Sequence, residues 1–137
     1  MDTSLLKGLN AEQLAAVTWP PAAALVLAGA GSGKTRVLTT RIAWLLDTAQ
    51  ASVHSIMAVT FTNKAAKEMQ HRLGEMVPYS TRAMWLGTFH GLCHRFLRIH
   101  YQDAGLPSAF QILDSSDQLS VIKRLLKGLN IADEVLA

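Results

Sequence analysis

The chain is short of several things that decide function classes. Its 137 residues hold a single cysteine, so no intramolecular disulfide can form and a reducing compartment fits. Only 17% of residues are charged, while half are apolar. That is enough to bury a core and excludes wholesale disorder. The longest apolar run, Ala22 to Ala28, is far below the roughly 20 residues of a membrane span. The opening MDTSLLKGLN lacks the basic-then-apolar order of a secretory signal. There is no internal repeat and no low-complexity tract. The expectation is a soluble cytoplasmic protein with no membrane partner.

What charge there is lies unevenly. Nine Lys and Arg fall between Lys34 and Arg98 against Asp47, Glu68 and Glu75, a local balance of +6 in a chain whose net charge is +3. A basic middle suits a polyanionic partner, although scattered solvated cations would give the same count.

Periodicity organises the chain. Asn10, followed three residues on by Gln13, reads as a capping box opening a helix that ends near Val17, before Pro20-Pro21. Ala24 to Ala28 reads as a strand buried on both faces, and a glycine-rich turn joins it to a helix over about 34–46 with Val37, Leu38, Ile42 and Leu45 on one side. Ser55 to Phe61 is a second strand, leading into a helix over 63–76 on Ala66, Met69, Leu73 and Met76. Ala83 to Phe89 is a third, leading into a helix over about 91–100 with Leu92, Phe96 and Ile99 on one stripe. Strands alternating with helices predict an open parallel α/β sheet. After Tyr101 the pattern becomes mostly helical, with a short extended piece at Phe110 to Leu113 and an amphipathic helix from about Asp117 to Leu129. No stop signal precedes Ala137, so the polypeptide is expected to continue.

The strongest chemical signal is Ala28-Gly29-Ala30-Gly31-Ser32-Gly33-Lys34-Thr35. It follows a strand and opens a helix, the context of a phosphate-binding P-loop. Backbone N–H groups must converge on the phosphates, glycines supply the dihedrals and the room, and the helix start adds positive charge. Lys34 is expected to reach the β- and γ-phosphates and Thr35 to hold Mg²⁺ through its hydroxyl, so ATP and Mg²⁺ are the expected ligands. Ala28 stands where the strict pattern has glycine. The dinucleotide pattern G-x-G-x-x-G fails, because Lys34 stands where its last glycine would be.

With that loop in place, the chain resembles the N-terminus of a superfamily-one DNA helicase of the UvrD/Rep/PcrA type. The similarity is ordered along the chain: LNAEQ before the P-loop, AGAGSGKT with its leading alanine, VTFTNKAAKEM at Val59 to Met69, GTFHGLCHRFLR at Gly87 to Arg98, and FQILD at Phe110 to Asp114. The resemblance implies a P-loop, RecA-like parallel sheet flanked by helices and incomplete here. Residues 1–88 would be the first part of the motor domain and residues 89–137 the beginning of an inserted helical subdomain. It implies ATP-driven movement on single-stranded DNA with 3′ to 5′ unwinding, at junctions of single and double strand, in DNA repair or replication.

Site residues follow from the matching positions. Gln13 would read the adenine edge, an amide being able to donate and accept at once; the capping box with Asn10 would use the same atoms. Arg36 would lie along the nucleotide or stand solvated in the first helical turn. Phe61, at the carboxyl edge of the sheet where α/β folds bind ligands, would stack a base unless it is core. Thr60, Thr62, Asn63, Lys64, Thr88 and His90 would contact the DNA backbone, with an N-cap role compatible at Asn63. His90, Cys93 and His94 make a poor zinc site, lacking further ligands, and Cys93 reads as a small buried apolar residue.

Asp133-Glu134 imitates the acidic pair of a Walker B site, but no buried apolar strand precedes it. The family's own acidic pair, its arginine finger and its second motor domain would lie beyond Ala137. The chain alone is therefore expected to hydrolyse ATP poorly, to need the remainder of the helicase, and to self-associate through uncovered apolar surface. Two rivals remain: a small P-loop kinase, in which TFTNKAA has no place, and a freestanding nucleic-acid adaptor with a structural P-loop.

Overall fold

The computed structural model describes residues 3–131. Asp133-Glu134 lies outside them. The described residues form two compact units that divide between Cys93 and His94.

In the first unit a 3-10 turn, Thr3–Leu6, precedes helix α1, Ala11–Val17. The Asn10 side chain accepts from the Gln13 N–H at 2.8 Å and the Gln13 side chain accepts from the Asn10 N–H at 3.0 Å, so the capping box forms in full. Helix α2 spans Lys34–Asp47, strand β1 Met57–Thr60, helix α3 Asn63–Met76, strand β2 Trp85–Thr88 and helix α4 Phe89–Ile99. β1 and β2 pair in parallel with Met57 opposite Trp85 and Thr60 opposite Thr88, and α3 is the crossover between them. Parallel neighbours need such a crossover, because a tight turn cannot return the chain in the same direction.

The core gathers where α2 and α3 meet this pair of strands. Ile42, Ala43 and Leu46 of α2 pack with Ala58, Met69 and Leu73. α3 buries Met69 and Leu73 from its predicted stripe. α2 buries Val37 and Ile42 of its predicted face, but Leu38 is left exposed while Thr39, Thr40, Ala43 and Leu46 are buried. The reason is that α2 is covered from two sides, by α1 and by α3. Thr39 enters the core with its hydroxyl donating to the Thr35 carbonyl at 2.9 Å, so no polar atom goes unpaired.

The largest departure from expectation is Ala24 to Ala28, which forms no strand. Leu25 and Leu27 are 84% and 85% exposed. A strand buried on both faces needs a ladder partner and a layer on each side. β1 and β2 instead pair with one another, and the run lies outside that ladder.

The second unit contains the end of α4, irregular backbone, and helix α5, Ser115–Gly128. Asp114 caps α5 with its carboxylate accepting from the Asp117 N–H at 2.7 Å, a second full capping box. Phe110 is buried, and the expected extended piece after it has no ladder partner. The Arg98 guanidinium carbon sits 4.4 Å from the Phe110 ring centroid. Arg98 also donates to His94 Nε2 at 3.0 Å and to the Ser108 carbonyl at 3.3 Å. Of the α4 stripe only Leu92 is buried; Phe96 and Ile99 stay about half exposed. No helix among the described residues is long and apolar enough to cross a membrane.

Candidate nucleotide and nucleic-acid site

The glycine-rich loop is shaped by two left-handed residues. Gly31 has φ +76° and Gly33 φ +81°, a region costly for any residue with a Cβ. Gly33 is the N-cap of α2, so the loop delivers the chain straight into the helix start. A Cβ added at Gly29 or Gly31 would meet nothing within 4 Å. The space beside both glycines is open.

Its donors are held by the loop's own carbonyls. Lys34 Nζ donates to the Ala28 carbonyl at 3.1 Å, and the Ser32 N–H donates to the Gly29 carbonyl at 3.3 Å. These exposed contacts place the ammonium beside the loop, where an anion can exchange for a carbonyl. Thr35 follows in the first turn of α2. Ala30 lies within the loop and is exposed. The donor set suits a polyphosphate with a divalent cation: a cation, a helix start, a hydroxyl, and open backbone.

Gln13 divides its amide between two partners. Oε1 accepts from Asn10 in the cap, while Nε2 donates to the Ser32 carbonyl at 3.2 Å. The cap and the loop thus share one side chain. Arg36 is exposed in the first turn of α2, and its Nη2 donates to the Lys7 carbonyl at 3.2 Å.

Lys34, Thr35 and Leu38 form one wall of a cavity of about 310 Å³. Thr60, Phe61, Thr62, Ala65, Glu68 and Met69 form the other. The structure therefore brings the P-loop helix and the end of β1 to one space. Phe61 is 89% exposed and is not core. Its ring lies 5.2 Å from that of Phe89, tilted by 41°. Thr62, not Asn63, caps α3, its hydroxyl accepting from the Ala65 N–H at 3.1 Å. Thr60 donates to the Thr62 carbonyl at 3.2 Å, and the Thr88 hydroxyl accepts from the Gly91 N–H at 3.0 Å. Asn63, Lys64 and His90 are exposed in the first turns of α3 and α4. Cys93, expected buried, is exposed, because α4 turns Leu92 rather than Cys93 toward the core. No metal-binding cluster of His, Cys, Asp or Glu occurs among the described residues.

Comparison with known proteins decides the family. The family model for the UvrD/REP helicase N-terminal domain matches residues 9–136. The chain belongs to that family. It is 59% identical over 135 residues to DNA helicase II of Escherichia coli K12, covering 98% of this chain and 19% of that protein. It is 60% identical over 139 residues to DNA helicase II of Haemophilus influenzae, covering 98% and 19%. Against the ATP-dependent DNA helicase PcrA of Staphylococcus epidermidis it is 49% identical over 128 residues, covering 93% and 18%. The chain spans about a fifth of the length of the curated relatives it matches.

One long-range contact beside the site escaped sequence reasoning. Arg41, counted only as a charge, reaches back across the first unit to the end of α1. Nη1 donates to the carbonyls of Val17 at 3.0 Å and Trp19 at 2.8 Å, with a longer contact to Ala16, and Nη2 reaches the Pro20 carbonyl at 3.4 Å. A side chain that bonds backbone more than 20 residues away leaves no local signature. The only hint available was an arginine on a helix facing a helix that ends ahead of Pro20-Pro21.

Proposed function

We propose that this chain is the ATP-binding, DNA-contacting start of a 3′ to 5′ DNA helicase that moves on single-stranded DNA and opens duplex at junctions, in repair or replication, in the bacterial cytosol. On this reading residues 1–88 begin a RecA-like motor domain and residues 89–137 begin an inserted helical subdomain. The observation that carries it is the cavity walled by Lys34 and Thr35 on one side and by Thr60, Phe61 and Thr62 on the other. A nucleotide-binding loop and an exposed aromatic at a sheet edge meet there, and the relatives are named as DNA helicases, PcrA as an ATP-dependent one.

The residues then divide the work. Gly29 to Gly33 present backbone to the phosphates, with Ala28 and Ala30 completing the turn. Lys34 exchanges the Ala28 carbonyl for the β- and γ-phosphates. Thr35 holds Mg²⁺, which would neutralise charge between those phosphates. Gln13 offers the second N–H of its amide to the adenine, and Arg36 steadies the segment ahead of α1. Phe61 stacks a base, while Thr60, Thr62, Asn63, Lys64, Thr88 and His90 line the strand's backbone. Hydrolysis draws on the remainder of the helicase, and the uncovered run around Leu25 and Leu27 favours self-association of the isolated chain.

Calorimetric titration with Mg-ATP tests this. Lys34→Ala should weaken binding by roughly 1.5–3 kcal/mol, the scale of one charge-assisted contact. Equal affinity in both forms would exclude ATP from the P-loop and leave the adaptor reading.

A further inference from the structure

We propose that Arg41 is a positioning residue for nucleotide recognition: by clamping the end of α1 it holds the Gln13 amide against the P-loop. The inference rests on the reading of Gln13 as the adenine contact. α1 is a helix of seven residues, too short to stand alone. Its C-terminal end leaves carbonyls without helical partners. The Arg41 guanidinium donates to four carbonyls there, those of Ala16, Val17, Trp19 and Pro20, the two shortest contacts being 2.8 and 3.0 Å. A planar fork with five N–H donors suits that row of carbonyls; a lysine ammonium does not.

The clamp and the nucleotide loop share a helix. Arg41 sits on α2, two turns beyond the Lys34 and Thr35 that open it. At the other end of α1, Gln13 Nε2 donates to the Ser32 carbonyl at 3.2 Å. So α1 is pinned at both ends, to the P-loop by its own Gln13 and to the P-loop helix by Arg41 of α2. The segment leaving α1 is Thr18 to Pro21, where Pro20 and Pro21 offer no N–H to continue a helix. The Thr18 and Ala22 N–H groups bond only the nearby Leu14 and Pro20 carbonyls, and Arg41 ties the segment to α2. Releasing it frees α1 to shift, and the amide at Gln13 shifts with it, while the loop glycines and Lys34 keep their places.

The test uses the full-length protein and three probes: ATP, GTP and inorganic tripolyphosphate. Gln13→Ala, Arg41→Ala, Arg41→Lys and the double alanine variant are compared. Arg41→Ala should reduce the preference for ATP over GTP about three- to tenfold, the scale of one hydrogen bond. Tripolyphosphate affinity should stay unchanged, and the double variant should be no worse than Gln13→Ala alone. Arg41→Lys, which keeps the charge without the fork, should fall between. If Gln13→Ala abolishes the preference and a folded Arg41 variant leaves it intact, the positioning role is overturned. If Gln13→Ala itself leaves the preference unchanged, the adenine reading fails and this inference fails with it. Should Arg41→Ala not fold, the Arg41→Lys ratio decides: an unaltered preference overturns the proposal and a reduced one supports it. Loss of tripolyphosphate binding in step with ATP would mark a general structural role and overturn it too.

Discussion

Replacing the three glycines of the P-loop one at a time by alanine should give three different costs, and the structure sets their order. Gly29 lies outside the left-handed region and an added Cβ would meet nothing within 4 Å. Gly29→Ala should be neutral or stabilising by about 0.4–1 kcal/mol, through a less flexible unfolded chain. Gly31 has φ +76° with the same open surroundings, so Gly31→Ala carries only the left-handed strain of ~1–2 kcal/mol. Gly33 has φ +81°, and its Cβ would stand 3.2 Å from Gln13 Nε2. That amide cannot simply turn away, because Oε1 holds the α1 cap and Nε2 holds Ser32. Gly33→Ala therefore adds a hydrogen bond's worth to the strain, about 1.5–3.5 kcal/mol in all. Urea unfolding of the 137-residue chain, followed by far-ultraviolet circular dichroism, measures the series. The extra cost at Gly33 should vanish in a Gln13→Ala background. A Gly33→Ala variant as stable as Gly29→Ala, or one whose cost is unchanged without Gln13, would refute the reasoning.

Two further substitutions probe other parts of the chain. Phe61→Ala in the full-length protein should weaken single-stranded DNA binding by ~1–3 kcal/mol, the scale of one base on one ring, with little change in melting temperature because the ring is exposed; unchanged DNA affinity would remove Phe61 from the interface. Arg98→Ala removes the cation over Phe110 and the contacts to His94 and Ser108, and should lower the stability of the second unit by about 1–2 kcal/mol, read by amide hydrogen exchange around Phe110; an effect no larger than that of Arg124→Ala would show that the ring needs no cover from Arg98.

Much of the chain was legible because its signals are local. The Asn10 cap and the bounds of α3 at 63–76 follow from side chains that bond their own helix, and both appear as expected. Strand lengths were legible only roughly: residues 55–61 and 83–89 shrink to Met57–Thr60 and Trp85–Thr88, because a ladder extends only as far as its partner. Ala24 to Ala28 failed for the same reason carried further, since apolarity states a demand for partners without naming them. Cys93 and Leu38 were misjudged, and Thr39 and Thr40 missed, where burial depends on which neighbour covers a helix. Arg41 was invisible because its acceptors are backbone groups, which every residue carries.

The aromatic pair shows how register turns two separate motifs into one surface. TFT follows β1 and TFH follows β2, each at a strand-to-helix junction. The strands are parallel, with Thr60 opposite Thr88. The residue after each threonine is therefore carried to the same edge at the same height, and these residues are Phe61 and Phe89. Their rings meet at 5.2 Å although 28 positions separate them in sequence. Both junctions are then fixed by a threonine hydroxyl, Thr62 taking the Ala65 N–H and Thr88 the Gly91 N–H. Those hydroxyls are engaged as caps, so any contact they make with a phosphate must use their remaining hydrogen-bonding capacity. The Phe61 ring is 89% exposed and meets the Phe89 ring, so register and that ring contact set its place. Burial can fix a core phenylalanine against a slip of one residue, but nothing of that kind holds Phe61. The pairing of β1 with β2, and the α3 packing that supports it, is thus what places the exposed ring beside the wall formed by Lys34 and Thr35.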